Sequence, residues 1–229
     1  MSMVPLKPLI GGLAMAALTA LASIVAPSGA AATSVNYLTN GSFEKSSGAP
    51  DYNHFVGWTE SGNFDPYTFV LSGHFDKYPG AENGHFYVVA GPVGPDNSLS
   101  SGSLSQTFAD IVGQSLDVTG WYAAVGDAPS NLTVSFGPSR GPLTELLNLG
   151  DPNTNGKWTE FSFDVTASGL DTFELSFADN PGWIALDNFS VTDPPATPLP
   201  GALPLFASGL GMMGLFGWLR KKQAVATAS

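Results

Sequence analysis

The chain contains no cysteine, and only eight of its 229 residues are lysine or arginine. The first absence excludes disulfides, so packing, with or without a bound ion, has to hold any folded domain together. The second argues against nucleic acid as a partner, because binding it requires cationic side chains that displace counterions from phosphates. Between Thr33 and Asp193 lie all nineteen acidic residues and only Lys45, Lys77, Arg140 and Lys157 as basic ones, a net of fifteen negative charges. Such a surface keeps a domain soluble and tolerates divalent cations. A helical apolar period is also missing from this stretch, and its length suits one core of ordinary size. The long apolar runs sit at the two ends.

Residues 1–32 carry a single charge, Lys7, followed by "LIGGLAMAALTALASIVA" and then "PSGAAA", with Ala30 and Ala32 in an A-x-A arrangement. That order of basic, apolar and small residues predicts a secretory signal peptide cut near Ala32. A retained anchor is the alternative, disfavoured by the small-residue exit and the polar sequence beyond it. At the other end "DPPATPLP" (193–200) opens a proline-rich linker, residues 194–201, that cannot join a sheet or helix interior. Residues 202–219 carry no charge and, as a helix, would span about 27 Å, enough for a bilayer core. Arg220, Lys221 and Lys222 follow at once, so the tail 220–229 is expected to stay cytoplasmic with the domain outside.

What fills the middle is alternation. Leu132, Val134 and Phe136 alternate with Thr133 and Ser135; Phe161, Phe163 and Val165 alternate with Ser162 and Asp164; Phe173, Leu175 and Phe177 alternate with Glu174 and Ser176. "SLDVT" and "PYTFVLS" repeat the pattern less cleanly. Each such run predicts a strand with one buried and one wet face. Turn-formers separate them, among them "TNGS", "GPVGPDN", "GDPNTNG" and "DNPG". Many short antiparallel strands of this kind imply an all-β two-sheet sandwich over residues 33–193.

Two resemblances sharpen this reading. "LTNGSFE", "GWTESGN", "SLSQTFADIVGQSLDVTGWY", "KWTEFSFDVTA" and "WIALDNFSVT", in that order, resemble the galactose-binding-like jelly rolls, which include carbohydrate-binding modules. The likeness covers most of residues 35–192, and its motifs identify a fold better than a ligand. It implies an antiparallel jelly-roll sandwich and a structural calcium tying the first strand to the last, with Glu44 and Asp187 at the matching positions. Calcium takes six to eight oxygen ligands. Strand-end carboxylates that are merely solvated or hydrogen-bonded explain the pair equally well. Separately, a "PLPG" turn (Pro198, Leu199, Pro200, Gly201) before a short apolar segment and a basic stop is similar to the PEP-CTERM sorting signal of Gram-negative bacteria. In that family a membrane exosortase removes the anchor. The family motif usually opens with Val-Pro, whereas Thr197 precedes Pro198 here, which leaves the cutting position open. A permanent single-pass anchor is the plainer alternative.

Three motif matches carry no chemistry. "GLGMMG" lies in the apolar tail and not in a βαβ unit. "GPSRG" links two expected strands, with all three histidines upstream of it. "DPNTNG" begins like a calcium loop, but its twelfth position is Ser162. The isolated histidines lack metal-ligand spacing, and nineteen carboxylates make some close pair inevitable, so glycosidase chemistry does not follow from them.

Sugar binding by stacking on pyranose rings requires aromatic faces flanked by polar groups. Trp58 and Trp158 read as structural. Trp121 and Tyr122 are adjacent, so one of them must point out of a strand; Asp127, Asn131 and Asn180 are the polar candidates from loops. The sequence therefore predicts a non-enzymatic exported protein, held at the inner membrane and then released to the cell surface or exopolysaccharide matrix. Exosortase is its expected processing partner, and extracellular polysaccharide its expected weak ligand. A secreted polysaccharide-active hydrolase and a purely structural adhesin are the alternatives.

Overall fold

Ten strands account for the regular structure of the domain's described residues, in the order β1 (Thr59–Gly62), β2 (Thr68–Ser72), β3 (Phe86–Ala90), β4 (Gly102–Ala109), β5 (Ser115–Ala124), β6 (Ser130–Pro138), β7 (Thr144–Gly150), β8 (Thr159–Thr166), β9 (Leu170–Asp179) and β10 (Ile184–Thr192). The structure is a computed structural model that describes residues 34–194 apart from 47, 53–54, 64–66, 92–99 and 181, together with Leu210. The expected signal peptide, the sorting motif, the basic stop and, Leu210 excepted, the apolar segment 202–219 lie outside the described residues. Among those described, no helix is long and apolar enough to cross a membrane.

Two five-stranded sheets form, a first in the order β1-β4-β9-β6-β7 and a second in the order β2-β3-β10-β5-β8. Every pairing is antiparallel. This is the expected all-β sandwich, and the alternating runs in the sequence fall on β2, β5, β6, β8 and β9. Their apolar halves meet between the sheets: Leu132, Val134, Phe173 and Leu175 from the first, Leu116, Val118, Ile184 and Leu186 from the second, each fully buried.

An aromatic group locks the two ends of the domain into this core. Phe43 stacks on Trp58 at 5.5 Å, Trp58 meets Phe173 at 6.1 Å, and Phe173 meets Phe189 at 5.9 Å. Trp58 also donates its indole N–H to the Asn40 carbonyl at 3.1 Å, so the "NGSFE" and "GWT" stretches are structural through one shared contact. Gly41 is needed for the same closure, since a Cβ there would lie 1.9 Å from the Phe189 carbonyl oxygen.

One core was expected, and two apolar clusters are found. The second comprises Phe69, Tyr78, Tyr87, Val89, Ala123 and Ala185. It lies on the outer face of the second sheet, where Phe75, Tyr78 and Ala81, ahead of β3, cover it. Tyr78 donates its hydroxyl to the Trp183 carbonyl, and Tyr87 donates to the Gly73 carbonyl at 3.0 Å. Trp158 packs on Tyr87 at 6.0 Å and donates to the Gly80 carbonyl at 3.0 Å, which makes it structural as read. β3 is therefore buried on both faces, which explains why "FYVVA" shows no alternation.

Candidate functional site

The outer face of the first sheet carries the polar half of each alternating strand, most of it partly exposed among the described residues and Ser135 buried. Register aligns these residues into rows. One row runs Thr59, Ser105, Glu174, Ser135, Glu145 across all five strands. The next runs Ser61, Ser103, Ser176, Thr133, Asn148. A third, shorter row pairs Thr107 with Thr172, whose hydroxyls are 2.8 Å apart. At the β6–β7 edge the side chains bond one another: Asn131 donates to Asn148 at 3.1 Å, Thr133 to Asn131 at 3.0 Å, and Asn148 to Glu145 at 3.0 Å. Neighbouring strands lie about 4.8 Å apart and same-face residues about 6.7 Å apart along a strand. The face is thus a lattice of hydroxyls and amides with Glu174 near its centre, chemically suited to hydrogen-bonding a polyhydroxylated chain. No aromatic residue occupies these rows, so nothing in them stacks on a sugar ring.

The aromatic candidates sit elsewhere. Trp121 and Tyr122 are on β5 in the second sheet; Tyr122 packs against the main core, and burial raises its pKa. Trp121 takes the outer face, half-buried between Asp187 of β10 and Glu160 of β8. The polar candidates gather at one end of the sandwich, apart from both. Asp127 crowds Gly182, where a Cβ would be 2.4 Å from Asp127 Oδ2, and the Asn180 N–H donates to the Pro129 carbonyl at 3.3 Å. Asn131 belongs to the first sheet and joins its polar face.

That end also holds Asp179, which is 2 % exposed. Burial pushes its pKa up to about 7, with Asp127 and Asp151 adding negative charge nearby and the Gly182 N–H opposing. Asp151 meanwhile accepts from the Ser130 N–H at 2.8 Å, and Asn153 accepts from the Asn155 N–H at 2.9 Å, so "DPNTNG" forms an Asx-type turn.

Glu44 and Asp187, far apart in sequence, close on the same short segment. Glu44 Oε1 accepts from the N–H groups of His85 at 2.7 Å and Phe86 at 2.8 Å. Asp187 Oδ2 accepts from those of Glu82 at 2.8 Å and Asn83 at 3.1 Å, and its Oδ1 from that of Asn188 at 2.7 Å. Burial pushes the Asp187 pKa up to about 7 against these three N–H groups. Gly84 has φ +78°, and a Cβ on it would lie 2.3 Å from Glu44 Oε1, so the carboxylate fills the space a side chain would take. As arranged, these oxygens accept from backbone N–H groups, and among the described residues no group of three or more His, Cys, Asp or Glu is disposed to hold a metal.

No family model matches the chain, and no curated protein matches it. Among solved structures it is similar in fold to a family 61 carbohydrate-binding module, solved in complex with β-1,4-galactotriose. The TM-score is 0.51 at 18 % identity, covering 69 % of this chain and 97 % of that one. It is also similar to the K2 cleaved adhesin domain of Lys-gingipain (TM-score 0.47, 18 % identity, 66 % and 95 % covered) and to a family 16 carbohydrate-binding module (0.44, 13 %, 68 % and 99 %). At these identities the likeness is one of fold: a jelly-roll sandwich like that of carbohydrate-binding modules.

Proposed function

We propose that this protein is an exported, non-enzymatic component of a cell surface or polysaccharide matrix, whose jelly roll binds polysaccharide through the outer face of its first sheet. The observation that carries this reading is the pair of polar rows, each five residues wide and crossing every strand of that sheet. Hydroxyl-to-hydroxyl hydrogen bonding without ring stacking gives weak binding per sugar, because each bond replaces one to water and contributes only about 1 kcal/mol. Affinity then comes from many contacts along an extended chain. The β-1,4-galactotriose held by the family 61 module is support by fold alone.

Residues 33–193, which contain the whole sandwich, are tested on a column of the host's extracellular polysaccharide. The wild-type domain is retarded, Glu174→Ala combined with Ser105→Ala loses the retardation, and Trp121→Ala keeps it. Absence of any retardation, or loss with Trp121→Ala alone, overturns the assignment of the face.

Delivery follows the two ends of the sequence. The leader directs export, the run 202–219 retains the protein at the inner membrane, and an exosortase cuts near Pro198–Gly201. The mass of the protein recovered from an exporting host checks this: loss of the C-terminal residues supports processing, and an intact Ser229 identifies a permanent anchor. Calcium at Glu44 and Asp187 is proposed on the jelly-roll resemblance alone.

A further inference from the structure

The end of the sandwich opposite Asp179 carries the two most exposed large apolar side chains of the described domain, Ile111 and Val112, with Leu170 beside them. Ile111 is 67 % exposed, Val112 75 % and Leu170 45 %. They belong to two turns, β4–β5 and β8–β9, that are bonded into one body. The Gly113 N–H donates to the Ala167 carbonyl at 2.8 Å, and the Ala167 N–H to the Gln114 carbonyl at 2.8 Å. The Asp110 N–H donates to the Gly169 carbonyl at 3.3 Å, while the Gly169 N–H donates back to Asp110 Oδ1 at 2.6 Å. A Cβ on Gly169 would lie 2.9 Å from Val112 Cγ2, so the Val112 side chain lies against the backbone of the other turn.

The two exposed turn segments are themselves uncharged, and the carboxylates of Asp110 and Asp193 flank them. In a domain with nineteen acidic residues, "IVGQSL" (111–116) and "VTASGL" (165–170) carry none. Asp171, next along β9, is fully buried and accepts from the Ser168 N–H and hydroxyl. The described domain also leaves from this end. Asp193, near the last described residue of the sandwich, accepts from Gln114 of the same turn and from the Tyr37 hydroxyl. Thr192 pairs with both Asp117 and Asn36. Only eight residues, 194–201, separate Asp193 from the uncharged run 202–219, a reach of at most about 28 Å.

We propose that the Ile111–Val112–Leu170 tip is a lipid-contacting surface, which seats this end of the sandwich on the bilayer while the protein is anchored. The inference rests on the reading of 202–219 as a membrane segment. A short tether leaving beside an uncharged apolar tip favours lipid over a soluble partner. Seating this end on the membrane also turns the Asp179 end away from it.

The absence of cysteine makes the test direct. Full-length protein carrying V112C or K157C, each labelled with a polarity-sensitive fluorophore, is reconstituted into vesicles of phosphatidylethanolamine and phosphatidylglycerol. Lys157 serves as control because Thr154, to which its N–H donates, is bonded to Ala124 at the far end of β5, about 30 Å away at ~3.3 Å per residue. The label at 112 is expected to shift to the blue and to be quenched by nitroxide lipids, and the label at 157 to do neither. Ile111→Ser with Leu170→Ser removes the shift at 112 without touching the core. Retention through alkaline extraction separates the two readings. A chain that stays in the vesicles while the 112 label reports water overturns the tip proposal alone. A chain that washes out overturns the anchor reading and the tip with it. A shift at 112 that depends on protein concentration and ignores nitroxide lipids identifies a second copy as the occupant and overturns the proposal.

Discussion

Gly120 shows how much one residue can decide. A Cβ on it would lie 2.2 Å from Phe189 Cδ1 and 2.6 Å from Phe161 Cζ, so the bare Cα is what lets the Phe189 ring lie across β5. Gly120→Ala is expected to overpack the core and to lower stability by about 1–3 kcal/mol in urea unfolding. Asp179 makes a pH-dependent contribution. Its folded pKa is raised from 3.8 to about 7, so the folded state binds this proton more tightly than the unfolded chain. Below about pH 4 both states are protonated and the burial of charge carries no penalty; the penalty grows as pH rises and is complete above about 7. Asp179→Asn keeps an oxygen for the Gly182 N–H and removes the charge. It should raise stability by up to about 4 kcal/mol near pH 8 and by little near pH 4. An equal gain at both pH values would contradict the burial argument. Neither role was legible in the sequence, where Gly120 reads as a weak point in a strand and Asp179 as one carboxylate among nineteen.

At the scale of the element, β9 holds both halves of the argument. Phe173, Leu175 and Phe177 are in the core, while Thr172, Glu174 and Ser176 face outward. Leu175→Ala should cost about 2–5 kcal/mol through the cavity it leaves. Glu174→Ala should change stability by no more than about 0.5 kcal/mol and yet lower polysaccharide retention; thermal melts run beside the column assay separate the two. The alternation made β5, β6, β8 and β9 legible because each is mainly dry on one face and wet on the other, and β2 less cleanly because apolar clusters cover both its faces. It did not pick out β1, β3, β4, β7 or β10; β3 is dry on both faces, and β1 is an edge strand exposed along its whole length. The candidate face was half legible. Its residues were visible as the polar partners of the alternation, but no aromatic marks them as a sugar site, and the rows exist only once the strands have chosen partners.

At the scale of the molecule, fifteen net negative charges on one domain repel one another at low ionic strength. Sodium chloride is therefore expected to raise the melting temperature by a few degrees. Calcium at matched ionic strength distinguishes screening from binding: a further rise, abolished by Glu44→Gln and by chelator, supports an ion at Glu44 and Asp187. An unchanged melting temperature leaves the two carboxylates as hydrogen-bond clamps on residues 82–86. The first described residues and the last meet at one end, through the Asn36–Thr192 bridge and the bond from Tyr37 to Asp193 across 156 residues of sequence, so fraying at either end should loosen both. By itself the sequence determined what is local: period-two strands, the turns between them, the acidic surface, and the charge and apolarity of the two ends. The tertiary structure alone decided which polar residues share a row, that Tyr122 turns in while Trp121 turns out, and that Glu44 and Asp187 grip one segment. Those outcomes depend on register between strands distant in the chain, and register is set by how the buried halves pack against each other.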